Sequence, residues 1–194
     1  MLPDGRRALS GSWDDTLRLL DLETGEILRF LKGHSDRVLA VAVLPDGRRA
    51  LSGSGFWGEP LRLWDLETGA CLHVLDSYSD TADTIDAIAV LLDGRRALSG
   101  SSDKTLRLWD LDTGRETASF MDDHAIMCCA AIPYSQTFVA GNARSGSVLL
   151  SSLRGGIGQA VRCRGYHLHD RAAGASILRY EYRACCKRPA FTVH

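Results

Sequence analysis

LLDGRRALSGSSDKTLRLWDLDTG, residues 91–114, holds three turns and two strand-like runs. DGRR is a tight turn in which glycine supplies a positive φ, and SDKT is another. Between them, RALSGS reads as a strand softened by glycine. LRLWDL (Leu106–Leu111) alternates, with Leu106 and Leu108 on one face and Arg107 and Trp109 on the other. DTG then turns the chain again. Glycine and proline punctuate the chain every ten residues or so, and no 3.6-residue apolar stripe is sustained, so helix is a poor rival.

Worked outward, the same text returns. LPDGRRALSGS occupies Leu2–Ser12 and Leu44–Ser54. TLRLLDLETG (Thr16–Gly25) and PLRLWDLETG (Pro60–Gly69) match TLRLWDLDTG (Thr105–Gly114). The period of about 45 residues marks a repeat architecture. VLAVAV (Val38–Val43) alternates β-branched or large residues with alanine, which suits an innermost strand where elements crowd. EILRFL (Glu26–Leu31) supplies an outer strand. Each unit is thus four short antiparallel strands. A sheet with two apolar faces must cover both, and stacking copies around an axis does so.

Composition narrows the function. The 194 residues are 45% hydrophobic and 24% charged with a net charge of −1, which describes a globular chain without a field that calls for nucleic acid or membrane. No apolar run is long enough to cross a bilayer, and MLPDGRR lacks a signal peptide's apolar stretch. The six cysteines form neither a disulfide framework nor a CxxC motif, so free thiols in a reducing cytoplasm are expected. Cys163, His167, His169, Cys185 and Cys186 fit no familiar zinc spacing. No GxSxG elbow and no phosphate loop occurs, so neither catalysis nor a cofactor is expected.

With Gly33–His34, Trp64–Asp65 and Trp109–Asp110 in these places, the chain resembles the WD-repeat β-propeller family, incompletely. The resemblance is strong over residues 2–132 and weaker to Leu153. It implies an all-β partial propeller of four-stranded antiparallel blades, about three recognisable and a degenerate fourth. The units expected are 1–31, 32–75, 76–120 and 121–153, with a divergent basic segment at 154–194. It also implies a polar chain of His, Ser, Asp and Trp in each blade. No unit here has all four. The first has Ser10 and Asp14, with Leu20 in place of tryptophan. The second has His34, Ser52 and Trp64, with GFWGEP rebuilding its turn. The third has Ser99, Asp103 and Trp109, with DSYSDTADT replacing the Gly-His loop. The fourth keeps His124. Such gaps are expected to leave buried groups unpaired and the blades loosened. The first unit lacks its inner strand, which suggests a fragment of a longer propeller or a chain that needs partners to close.

The expected function is a protein–protein interaction scaffold or sensor. In bacteria, near-identical repeats of this kind resemble those attached to signalling NTPases or kinases, and the placement rests on that analogy alone. Trp13, Phe56, Trp57 and Tyr78 lie in irregular loops that open on one rim, with Asp80 and Asp83 as a polar border. The competing reading has Trp13 and Trp57 fold back to plug their turns. Partners would be other proteins, further blades or a second copy. The Arg6–Arg7, Arg48–Arg49 and Arg95–Arg96 pairs face the acids Glu23, Glu67 and Asp112, which favours a solvated charged rim over a nucleic-acid surface. Residues 154–194 carry eight Lys or Arg against Asp170 and Glu181. A degenerate blade built on AVRC and SILRYEYRA, a basic arm for nucleic acid, and an end without a folded role all stay open.

Overall fold

The computed structural model describes residues 1–55, 61–75, 84–132, 137–143, 147–152 and 159–164. Among the described residues, fifteen strands form four antiparallel sheets. The first sheet has three strands, β1 (Arg7–Gly11), β2 (Thr16–Asp21) and β3 (Ile27–Lys32). The second has β4 (Val38–Val43), β5 (Arg49–Ser54), β6 (Leu61–Asp65) and β7 (Cys71–Leu75). The third has β8 (Ile85–Val90), β9 (Arg96–Ser101), β10 (Thr105–Asp110) and β11 (Arg115–Met121). The fourth has β12 (Ile126–Ala131), β13 (Thr137–Asn142), β14 (Ser147–Ser152) and β15 (Gln159–Arg164), so it extends past residue 153. Strands follow chain order within every sheet. This is the all-β, four-stranded blade architecture the repeat implies, with the first sheet one inner strand short.

The turns explain why the strands begin where they do. In each DGRR turn, one aspartate oxygen accepts the N–H groups of both arginines, at 2.9 and 3.1 Å for Asp4 and 2.9 Å twice for Asp46. Asp93 does the same for Arg95 and Arg96. Gly47 completes the turn with φ of 65°, in the left-handed region where a side chain is strained. The aspartate of the Trp-Asp pair caps the following turn. Asp65 Oδ1 accepts from the Glu67 and Thr68 N–H groups, and Asp21 and Asp110 hold their turns in the same way.

The core lies in the three seams between successive sheets. Leu9, Leu17, Leu19 and Leu31 of the first sheet pack with Val38, Ala50 and Trp64 of the second. Leu51, Leu61, Leu63 and Leu75 pack with Ala97 and Trp109 of the third. Leu98, Leu106 and Leu108 pack with Ile126, Phe138 and Ala140 of the fourth. Each tryptophan is thus a wedge driven toward the preceding sheet. In the fourth sheet Phe138 takes over that role. It stands where the other sheets have Ala50 and Ala97, and its cross-strand partner Ser151 stands where they have Trp64 and Trp109. The bulky ring has moved one strand across and still fills the seam.

The glycine of RALSGS has a packing cause as well. A Cβ on Gly53 would lie 2.4 Å from Ile85 Cγ2, and Gly11 and Gly100 have the same relation to Val38 and Ile126. The first residue of each next inner strand rests on the glycine of the sheet before it. The inner strands run side by side, β4 against β8 and β8 against β12. Among the described strands, none of the fourth sheet packs extensively on the first.

Candidate functional site

One rim is formed by the DGRR turns and the ETG or DTG turns, and its charges satisfy one another. The second arginine of each pair closes on its own turn, with Arg7, Arg49 and Arg96 bound to Asp4, Asp46 and Asp93 at 2.6–2.7 Å. The first arginine crosses to the neighbouring turn. Arg6 meets Glu23 at 3.0 Å, Arg48 meets Asp65 at 2.9 Å and Glu67 at 3.9 Å, and Arg95 meets Asp112 at 3.1 Å. Asp65 is held down to about 2 by the Thr68 N–H and then the Arg48 guanidinium. Asp4 falls to about 2 through the Arg6 N–H and then Arg7. Six arginines already supplied with carboxylates offer no basic stripe for a phosphate backbone.

The polar chain is built in part. Trp64 Nε1 donates to Ser52 Oγ at 2.7 Å, and His34 Nε2 lies 2.6 Å from that same oxygen. In the third sheet Trp109 Nε1 donates to Ser99 Oγ at 2.8 Å. Trp109 is only 1% exposed, so its indole is enclosed in the seam with Ser99 as its hydrogen-bond partner. Asp14 and Asp103 act locally: each accepts from the threonine two residues on, Thr16 and Thr105, and pairs with the arginine four residues on, Arg18 and Arg107. Ser10 stands opposite Arg18, and His124 lies half-buried before β12. The register places Ala140 where the other sheets have serine.

A serine hydroxyl 2.6 Å from an imidazole is also the spacing of a nucleophile and its base. Here Ser52 is fully buried, His34 is buried, and the hydroxyl is already engaged by an indole N–H. No substrate atom can approach it. Burial, with Cys128 beside it, pushes the Cys129 thiol up to about 12, so it is not a thiolate nucleophile. Among the described residues no group of His, Cys, Asp and Glu is placed to hold a metal ion, and no helix is long and apolar enough to cross a membrane.

The opposite rim carries an exposed tryptophan. Trp13, in the β1–β2 turn, is 75% exposed, and the Arg37 guanidinium stacks over its ring at 4.8 Å. The indole stands outside its turn. The stack joins two sheets, because Arg37 leads into β4, and the Val38 N–H donates to the Ser12 carbonyl at 3.0 Å. Asp36 lies beside Arg37, and half-exposed Leu39 continues the patch. Phe56, Trp57, Tyr78, Asp80 and Asp83 lie outside the described residues. Sequence reasoning found Trp13 and missed Arg37, since no repeat pattern marks the residue before an inner strand.

Two stretches, residues 25–58 and 69–110, match the family model for the WD domain, G-beta repeat. A search of curated proteins finds no match.

Proposed function

The chain carries WD repeats, and from that premise we propose that it is a protein-binding scaffold whose partner docks on the rim where Trp13 and Arg37 stack. Repeats of this family generally serve as platforms for protein–protein contact, and nothing in the buried Ser52–His34 pair offers an alternative chemistry. The observation that supports the rim is the contrast between the two ends of the sheets. Both ends hold internal ion pairs, Asp14–Arg18 and Asp103–Arg107 among them at the Trp13 end, but only that end leaves a tryptophan 75% exposed beneath a cation among the described residues. Tryptophan and arginine are the residues most enriched at binding hot spots, and a stacked pair is already ordered before the partner arrives. A fitting partner presents an apolar side chain to the indole and a carboxylate to the guanidinium.

The test isolates a partner from source cells by cross-linking and measures its binding to purified variants. Trp13→Ala and Arg37→Ala weaken capture by about tenfold or more, as expected of hot-spot residues. Arg6→Ala and Arg95→Ala, on the opposite rim, leave it unchanged. Unaltered binding to a folded Trp13→Ala protein rejects the rim.

A further inference from the structure

Arg29 and His73 occupy one place in two successive sheets. Arg29 is the cross-strand partner of Leu19 and His73 that of Leu63, each just past the bulge of its outer strand. Leu19 packs in the seam toward the second sheet and Leu63 in the seam toward the third. Cross-strand partners share a face, so Arg29 and His73 stand at the outer ends of those two seams. At the third seam the same place is held by Ala118, which carries no donor.

In the first seam the side chain fastens one sheet to the next. Arg29 Nη1 donates to the Thr68 carbonyl at 3.2 Å, and its Cδ lies 2.9 Å from the point that a Cβ on Gly69 would take. In the second seam, His73 Cγ and Nδ1 lie 3.6 Å from the same point on Gly114. The two turns are built alike. Asp65 and Asp110 each accept from the N–H and the hydroxyl of Thr68 and Thr113, and Gly69 and Gly114 follow with φ of 79° and 69°. Thr113 therefore offers its carbonyl as Thr68 does. The imidazole rests against this turn, yet its ring nitrogens make no hydrogen bond among the described residues.

We propose that His73 is a proton-operated latch between the second and third sheets, its imidazolium donating to the Thr113 carbonyl as the Arg29 guanidinium donates to that of Thr68. Protonation makes both ring nitrogens donors and gives a charge-assisted bond, whereas the neutral ring has one N–H and one lone pair that a carbonyl repels. The surrounding charges are already matched. Across the seam, Arg107 pairs with Glu116 at 3.1 Å and Asp103 at 2.9 Å. In the turn, Asp110 accepts from Thr113 and Asp112 pairs with Arg95, while Arg115 opens β11. On β7 itself the Cys71 thiol donates to the His73 carbonyl. The bond exists only for the charged ring in the folded chain. Its stabilisation is therefore complete on the acid side and is lost as pH rises through the imidazole range, about pH 5 to 8. The latch lies on the outer wall and is independent of the Trp13 rim.

The test measures urea unfolding of the full chain at about pH 8 and about pH 5.5 for the parent, His73→Ala and His73→Arg. Each protein is read by its own change between the two conditions, so packing lost at position 73 and the titration of other histidines cancel in the comparison. On going to the lower pH, the parent's unfolding constant should fall by about twofold to fivefold more than that of His73→Ala. His73→Arg carries a permanent donor and should respond as His73→Ala does. Arg107→Gln with Glu116→Gln, which removes that ion pair whole, should keep the parent's response. The proposal falls if the parent and His73→Ala respond alike, or if His73→Arg retains the parent's response. It falls too if loss of Arg107 and Glu116 abolishes the response, since the acceptor would then be the Glu116 carboxylate.

Discussion

The indole N–H of Trp64 donates to the Ser52 hydroxyl at 2.7 Å, both side chains being fully buried between the first two sheets. The same oxygen serves His34 at 2.6 Å, so one hydroxyl holds two elements that lie 30 residues apart in the chain. Ser99 serves Trp109, with no histidine on it among the described residues. Ser52→Ala therefore leaves two buried groups without their partner, and Ser99→Ala one. Chemical denaturation should show a loss of about 1–3 kcal/mol for Ser52→Ala and a smaller loss for Ser99→Ala. Equal losses would mean that His34 contributes nothing to the seam.

Gly53→Ala forces a methyl to within 2.4 Å of Ile85 Cγ2. Overpacking of this kind costs about 1–3 kcal/mol. Gly55→Ala, whose Cβ would meet Leu39 at an ordinary 3.4 Å, is the control and should be near neutral. Ile85→Val in the Gly53→Ala background should not restore stability, since the clashing Cγ2 remains. Ile85→Ala removes that atom but keeps the Cβ, which lies 2.6 Å from the new methyl, and should recover only part of the loss. Coupling near zero between positions 53 and 85 in the double-mutant cycle would refute the contact.

Phe138 fills the seam that tryptophans fill elsewhere and has no exposed surface. Phe138→Ala should cost about 3–5 kcal/mol through the cavity it leaves. Ser151 is its cross-strand partner, so Phe138→Ala with Ser151→Trp restores the Ala–Trp arrangement of the second and third sheets. That double variant should melt above the single one. A lower melting point would show that the fourth seam does not share the geometry of the others.

Acid should loosen the turns before it disturbs the seams. Asp4 and Asp65 sit at about 2 in the folded chain, below the ordinary 3.8. Asp21 and Asp110 are lowered too, chiefly by the Thr24 and Thr113 N–H groups. A folded value below the unfolded one means that the contribution is complete above about pH 4 and is lost as pH falls toward 2. Asp86 runs the other way, because burial raises it, so its protonation favours the folded chain. Thermal melting from pH 5 to pH 2 should show the fall, and Asp65→Asn should reduce its slope. A slope unchanged by Asp65→Asn would count against the turn cap.

Trp13 should matter to binding and hardly at all to stability. Its 75% exposure places Trp13→Ala within about 0.5 kcal/mol of the parent. Acrylamide should quench the Trp13 signal, isolated as the difference between parent and Trp13→Phe, far more strongly than those of Trp64 and Trp109. Weak quenching of that difference signal would show the indole to be covered.

The repeating text alone determined the kind of strands, the turns and the pairing within the first three sheets, while the fourth sheet runs on to β15 where no repeat text marks it. The text did so because those features rest on local physics. An aspartate reaches N–H groups two and three residues on, and side chains alternate with period two. Only the tertiary structure decided what lies between sheets. Arg37 stacks on Trp13 because a turn of one sheet meets the entry to the next. Ile85 rests on Gly53, and Phe138 replaces a tryptophan from one strand away. These contacts join residues whose separation along the chain carries no period. They follow from how twisted sheets settle against each other, and no run of letters encodes that distance.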